Sequence, residues 1–162
     1  MSISIIPARS ILLLAALLVA GVSSSAQEVN RRIAVPDEEV TGPLLIFRNV
    51  ERAWRAGNAQ ALSSLASESR VRVDLRGYER RGGYFTRPQI FYIFKNLFAT
   101  TSQINFAFVK YHNLDKEDSR VYGIAQRNYK TKRGGRLYKD MVYVTLVKEG
   151  SQWVVAEITS TW

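Results

Sequence analysis

The sequence predicts an α+β domain, with helices first and an antiparallel meander after them. Three observations carry this reading. Apolar residues recur every three or four positions over 41–65 and again over 88–101. Between them, SRVRVDLRG alternates apolar and polar residues. After Thr101 come four segments rich in β-branched and aromatic residues, separated only by LDKEDS, KRGG and KEGS. Breaks that short join antiparallel neighbours, because a parallel crossover needs a dozen or more residues.

Each element has its own signals. In TGPLLIFRNVERAWRAGN, Thr41 can act as an N-cap and Pro43 suits a first turn. Phe47, Val50 and Trp54 form one apolar face, and Gly57 can close the helix in a left-handed conformation. Asn58 can cap a second, short helix in NAQALSSLAS that buries Leu62 and Leu65. Val71, Val73 and Leu75 then alternate with Arg70, Arg72, Asp74 and Arg76, which gives a half-buried strand with a mostly basic outer side. GYERRGGYFTR reads as a loop. In PQIFYIFKNLFATT, Ile90, Phe94 and Leu97 share a stripe that Phe91 and Phe98 widen. Thr86 and Gln89 have capping-box spacing, so this third helix starts at Arg87 or Pro88. The closing segments QINFAFVKYHNL, SRVYGIAQRNYKT, RLYKDMVYVTLVK and SQWVVAEITSTW supply the four-stranded meander.

The N-terminus has the form of an export signal. One charge, Arg9, precedes an apolar run over 11–22 that is shorter than the roughly 20 residues of a membrane span. Ser24 and Ala26 stand at the −3 and −1 positions of a cut before Gln27. The expected organisation is therefore a signal peptide over 1–26, a flexible arm over 27–41 and one domain over 42–162, located in the periplasm or outside the cell. No transmembrane segment is expected after cleavage. The chain has no Cys, so the fold must hold by packing without disulfides. Its net charge of +9 favours acidic partners, an anionic glycan or a membrane surface. Export disfavours nucleic acid, although Arg, Gly and Tyr together are also an RNA-binding composition.

Two stretches then carry a resemblance. AWRAGNAQALSSL (residues 53–65) and the terminal WVVAEITSTW (153–162) are similar to segments of the nuclear transport factor 2-like (cystatin-like) superfamily. GYFTRPQIFYIFKNLF, with YGIA at 122–125, resembles more narrowly its uncharacterised bacterial exported members. The likeness covers residues 42–162. It implies N-terminal helices packed on a strongly curved antiparallel sheet that forms a cone, in the order helix, helix, strand, helix, four-strand meander. The superfamily includes polyketide cyclases, dehydratases, a ketosteroid isomerase and many domains without chemistry, so the fold alone selects no function.

The residues offer little catalytic material. His112 is the only histidine, at a strand end, and no Gly-x-Ser-x-Gly elbow accompanies it. A single His and no Cys exclude a zinc centre, and Asp115, Glu117 and Asp118 lack the order of a calcium loop. No metal or cofactor is expected. The resemblance implies a site inside the cone, where desolvation could raise a carboxylate's pKa. Glu157 and Asp140, each in an apolar strand, are the two candidates. Each could instead pair with Arg or Lys across the sheet, which is the favoured reading in a basic chain. A cone filled by Phe91, Phe94, Phe106 and Phe108 would point to a non-catalytic binding or accessory module. A roomy cone with an unpaired acid would point to a small-molecule lyase or isomerase of the polyketide cyclase or ketosteroid isomerase kind.

Charge and alternation nominate two surfaces. Residues 70–87 hold six Arg, and 127–139 hold six basic residues with no acid. Arg80, Arg81, Arg87, Lys130, Lys132, Arg133 and Arg136 are the candidates for contact with an anionic partner, while the Gly134-Gly135 pair suits a hairpin tip. On the last strands, Val142, Val144 and Leu146 with Val154, Ala156 and Ile158 are expected to pack on the helices. The alternate set, Met141, Tyr143, Thr145, Trp153 and Val155 together with Glu157, is the candidate face for a homodimer.

Overall fold

The computed structural model describes residues 41–78, 82–115 and 120–161. The leader, its cut and residues 27–40 of the arm lie outside them, as do Arg80 and Arg81. Among the described residues no helix is long and apolar enough to cross a membrane.

Helix α1 (Gly42–Arg55) buries Phe47, Val50 and Trp54 completely, the face that its periodicity predicts. The chain turns at Gly57, and Asn58 Oδ1 accepts from the Ala61 N–H at 2.9 Å to start α2 (Ala59–Ser64). Helix α3 (Arg87–Thr100) begins where Gln89 Oε1 accepts from the Thr86 N–H at 2.9 Å. These helices cover one face of a curved, unclosed six-stranded sheet: β1 (Val71–Asp74), β2 (Gly83–Phe85), β3 (Thr101–His112), β4 (Val121–Thr131), β5 (Leu137–Glu149) and β6 (Gln152–Ser160), in the order β2-β1-β6-β5-β4-β3.

The meander β3 to β6 is antiparallel throughout, as the short breaks require. Two features differ from the sequence reading. Strand β2 forms inside the segment read as a loop, where three residues are too few to show a period. In addition, β1 runs parallel to β6, so the sheet is mixed. The cause lies just after α2. There Val155 N–H donates to Leu65 O at 2.8 Å and Ser67 N–H donates to Val155 O at 2.9 Å, so the chain is caught alongside β6 before β1 begins.

One extra residue reassigns a whole face. Thr145 pairs with Glu157, but Leu146 pairs with Val155, so Ala156 is a bulge. Beyond it the alternation of β6 inverts. Val155 joins Leu146 in the core at 2% exposure, and Trp153 packs against that core from the same side. Val154 pairs with Val147 on the other face. The expectations that Val154 faces the helices with Ile158, and that Val155 and Trp153 belong to the outer set, are corrected by this register shift.

Bulges also bend β3, between Gln103 and Asn105 and between Phe108 and Lys110. As an edge strand, β3 presents unpaired backbone groups, and α1 covers two of them. Glu51 accepts from the Phe108 N–H at 3.1 Å, and Arg55 Nε donates to Phe106 O at 2.7 Å. Glu51 and Arg55 also bond each other at 3.0 Å. A template for intermolecular pairing is thereby blunted.

Gly123 of β4 lies where Phe108 and Phe47 press onto the sheet. A Cβ there would sit 2.8 Å from the Phe108 ring and 2.9 Å from the Phe47 ring. Gly123→Ala is expected to destabilise the protein by about 1–3 kcal/mol through overpacking. Equilibrium urea unfolding measures this, and an unchanged midpoint would show that the two rings give way freely.

Candidate functional site: the cone interior and the basic hairpin

The helix-facing side of the sheet is filled by side chains. Trp54 stacks on Phe106, with centroids 4.3 Å apart and planes 13° apart, and Phe94 meets the indole edge-on at 5.1 Å. Phe94 and Phe106 are fully buried, while Phe91 and Phe108 pack partly buried at the margin. The Trp54 Nε1–H donates to Gln103 Oε1 at 3.1 Å, and Gln103 Nε2 donates to Thr101 Oγ1 at 2.7 Å. This wall therefore has few polar groups, and these already bond one another.

Arg127 and Asp140 are the two buried charged residues among those described. They are register partners on β4 and β5, on the helix-facing side. Arg127 Nε donates to Asp140 Oδ1 at 2.9 Å, and its Nη2 donates to both Asp140 Oδ2 and Arg76 O, the latter at 2.8 Å. The guanidinium lies 4.3 Å from the Tyr129 ring centre and 5.8 Å from that of Trp54. Burial raises the pKa of the Tyr129 hydroxyl, and the positive charge of Arg127 works against that rise. Arg127 Nη1 is buried and has no hydrogen-bond partner among the protein atoms.

The stack continues outward. Tyr129 stacks on Tyr138 at 5.2 Å, and the Arg76 and Arg136 guanidiniums each lie 5.2 Å from the Tyr138 ring. Beyond them is the β4–β5 turn, where Gly135 has φ +61° and its N–H donates to Thr131 O at 2.9 Å. Few residues other than glycine adopt that angle cheaply. The backbone N–H of Lys132 donates to Thr100 O at 2.9 Å and its Nζ donates to Phe98 O at 3.2 Å, placing a cation at the negative end of α3.

The nominated residues therefore separate. Asp140 faces inward, but both of its carboxylate oxygens are engaged by Arg127. Glu157 faces the opposite side, 3.0 Å from Arg72 Nη1 in the adjacent strand. Lys130, Lys132, Arg133 and Arg136 gather at the hairpin. Arg87 stands at the other end of α3, about 20 Å away along a 14-residue helix. It pairs there with Glu68 and donates to Ala66 O, so its charge is used within the fold. His112 lies on the outer face, stacked 4.4 Å from Tyr122. Among the described residues no three His, Cys, Asp or Glu side chains group as metal ligands. The role of Arg127 is not singled out by the sequence reading, although Arg127 and Asp140 lie symmetrically about KRGG and a hairpin there places them opposite each other.

No protein-family model matches the chain, and no curated protein matches its sequence. Solved structures do match its fold. A DUF4783 family protein from Bacteroides ovatus aligns with TM-score 0.54 and 19% identity, over 69% of this chain and 90% of that one. A Catenulispora acidiphila protein of ketosteroid isomerase-like fold, solved in complex with trimethylamine, gives 0.58 and 18% over 75% and 87%. A ketosteroid isomerase-like protein from Erwinia carotovora gives 0.57 and 11% over 77% and 96%. The fold is therefore that of the nuclear transport factor 2-like superfamily. Uncharacterised bacterial proteins are among those that share it.

Removing one partner of the buried pair should be costly, because it strands the other charge in the core. Asp140→Leu and Arg127→Met are each expected to lose about 3–5 kcal/mol, and the double variant Arg127→Met/Asp140→Leu to be more stable than either single variant. Urea denaturation of the three proteins checks this. A double variant as weak as the sum of the two single variants would mean that the pair contributes more than its own neutralisation.

Proposed function

We propose that the chain is an exported binding or accessory domain, non-catalytic, that meets anionic partners through the β4–β5 hairpin. The observation that carries the reading is the state of Asp140. A general acid or base inside the cone needs a carboxylate oxygen within hydrogen-bond reach of a substrate, and both oxygens of this one are taken by a bidentate guanidinium beneath a packed aromatic wall. The hairpin, by contrast, offers exposed Lys130, Lys132, Arg133 and Arg136 without a carboxylate among them. Export follows from the leader read in the sequence.

The runner-up is a small-molecule lyase or isomerase with its site inside the cone. It draws support from the ketosteroid isomerase-like neighbours and from Arg127 Nη1, a buried donor without a protein partner. Native mass spectrometry that finds a small molecule lost on Arg127→Met would favour it.

Heparin binding tests the hairpin. Retention should fall steeply with salt, and Lys130→Ala/Arg133→Ala should lower the slope of log affinity against log salt by about 1 per cation removed. Retention that ignores salt, or survives both substitutions unchanged, would exclude the hairpin as the contact.

A homodimer through the outer sheet face is also proposed, on a smaller set than the sequence suggested. Met141, Tyr143 and Thr145 remain on that face beside Tyr122 and Ile124, each half-buried, whereas Trp153 and Val155 have left it. Sedimentation velocity at micromolar concentration should show a dimer that Tyr143→Arg dissociates. A monomer in the unsubstituted protein would remove this part of the proposal.

A further inference from the structure

The face of the sheet turned away from the helices is amphipathic at the end nearest the β4–β5 turn. There Ser102, Lys130 and Leu137 form one cross-strand row, and Asn105, Asn128 and Lys139 form the next row on the same face. Leu137 is 48% exposed, and Lys130 and Lys139 are exposed around it. Ile104, the extra residue of the first β3 bulge, is 54% exposed. Two aliphatic side chains thus meet solvent on β5 and β3, about two strand spacings or 10 Å apart, with β4 and its Lys130 between them.

The turn adds Arg133 and Arg136, both exposed, and residues 128–139 contain no acid. The tip is held in place by the bonds of Lys132 to Thr100 O and Phe98 O and by the closure of Gly135 N–H on Thr131 O. Arg136 lies over Tyr138, which in turn stacks on buried Tyr129. Cations and aliphatics are therefore presented in a fixed arrangement, and ordering them on contact costs little.

This combination separates the classes of anionic partner. A sulfated glycan meets the cations but gains nothing from Leu137 and Ile104, against which it would press polar groups. An anionic bilayer uses both. Its headgroups take the cations, and the acyl boundary beneath them takes aliphatic side chains.

We infer that this end of the outer sheet face is a docking surface for an anionic lipid bilayer, with Leu137 and Ile104 entering the headgroup layer. The inference rests on the hairpin reading above and narrows its partner from any polyanion to a lipid surface. The chain has no Cys, so Ser102→Cys can carry an environment-sensitive fluorophore into the row of Lys130 and Leu137. A label on Tyr84→Cys, exposed on β2 at the opposite edge of the sheet, is the control. The full chain is titrated with vesicles of equal parts phosphatidylglycerol and phosphatidylcholine, and with phosphatidylcholine alone. The label at 102 is expected to shift to the blue on anionic vesicles only, and the label at 84 to stay unchanged. Leu137→Ser is expected to raise the lipid concentration at half-shift roughly three- to tenfold while leaving heparin retention unchanged. Leu137→Trp is expected to lower that concentration, because an indole favours the interface. Both variants should keep the thermal midpoint of the parent, since residue 137 is exposed. Lys130→Ala/Arg133→Ala should weaken vesicle binding and heparin retention together. Heparin retention without a blue shift on anionic vesicles overturns the inference and leaves the hairpin with a glycan partner. A shift that Leu137→Ser does not weaken, or one that the label at 84 shares, overturns it as well. Loss of both heparin and vesicle binding removes the hairpin reading itself.

Discussion

A guanidinium placed in the middle of an apolar core must have its charge met locally, or the fold loses several kcal/mol. Arg127 is held in that position by Asp140 across the strand pair, by Arg76 O at the end of β1, and by the rings of Tyr129 and Trp54. Those contacts come from α1, the β1 end, β4 and β5, so a single side chain sets the relative positions of the helical layer and the sheet. The remaining aromatic wall packs around it. Trp54, already placed by the helix face of α1, stacks on Phe106 and so also aligns β3. The interior is therefore specified by polar geometry as much as by hydrophobic volume.

Much of this was legible in the chain, and the reasons differ by element. The helices α1 and α3 announced themselves because their apolar stripes run for three or four turns and start at recognisable caps. The corner at Gly57-Asn58 was legible because both residues have a single dominant local use there. The meander was legible because KRGG and KEGS leave no room for any other connection. What escaped were features that depend on one residue or on distant pairing. The Ala156 bulge has no composition of its own, yet it moves Val155 and Trp153 from one face to the other. The parallel β1–β6 pair is set by two backbone hydrogen bonds near residues 65–67 that no local pattern encodes.

The site was legible in a different proportion. The basic residues were easy to find, but their roles were not. Arg87 and Lys132 look alike in sequence. In the fold one is bound to Glu68 and Ala66 O, and the other caps the C-terminal end of α3. Asp140 could be nominated from its apolar surroundings, whereas its neutralisation by Arg127 needed the hairpin register as well. The two aliphatics beside the cations escaped, because composition does not tell an outward Leu137 from a buried one until the register is known. Ile104 is bared by a bulge that has no composition of its own.

The clasp of α1 on β3 ties two kinds of failure together. Because Glu51 and Arg55 occupy the open rim of the sheet, helix α1 cannot loosen without baring Phe106 and Phe108 backbone groups at the same moment as the Phe47 and Trp54 contacts are lost. Partial opening of this helix would thus release a sticky, strand-ready rim alongside an exposed aromatic layer. The most hazardous excursion available to the molecule is therefore a local one, well short of global unfolding. Solubility over time would then track how often α1 lifts, more closely than it tracks the net stability of the whole domain.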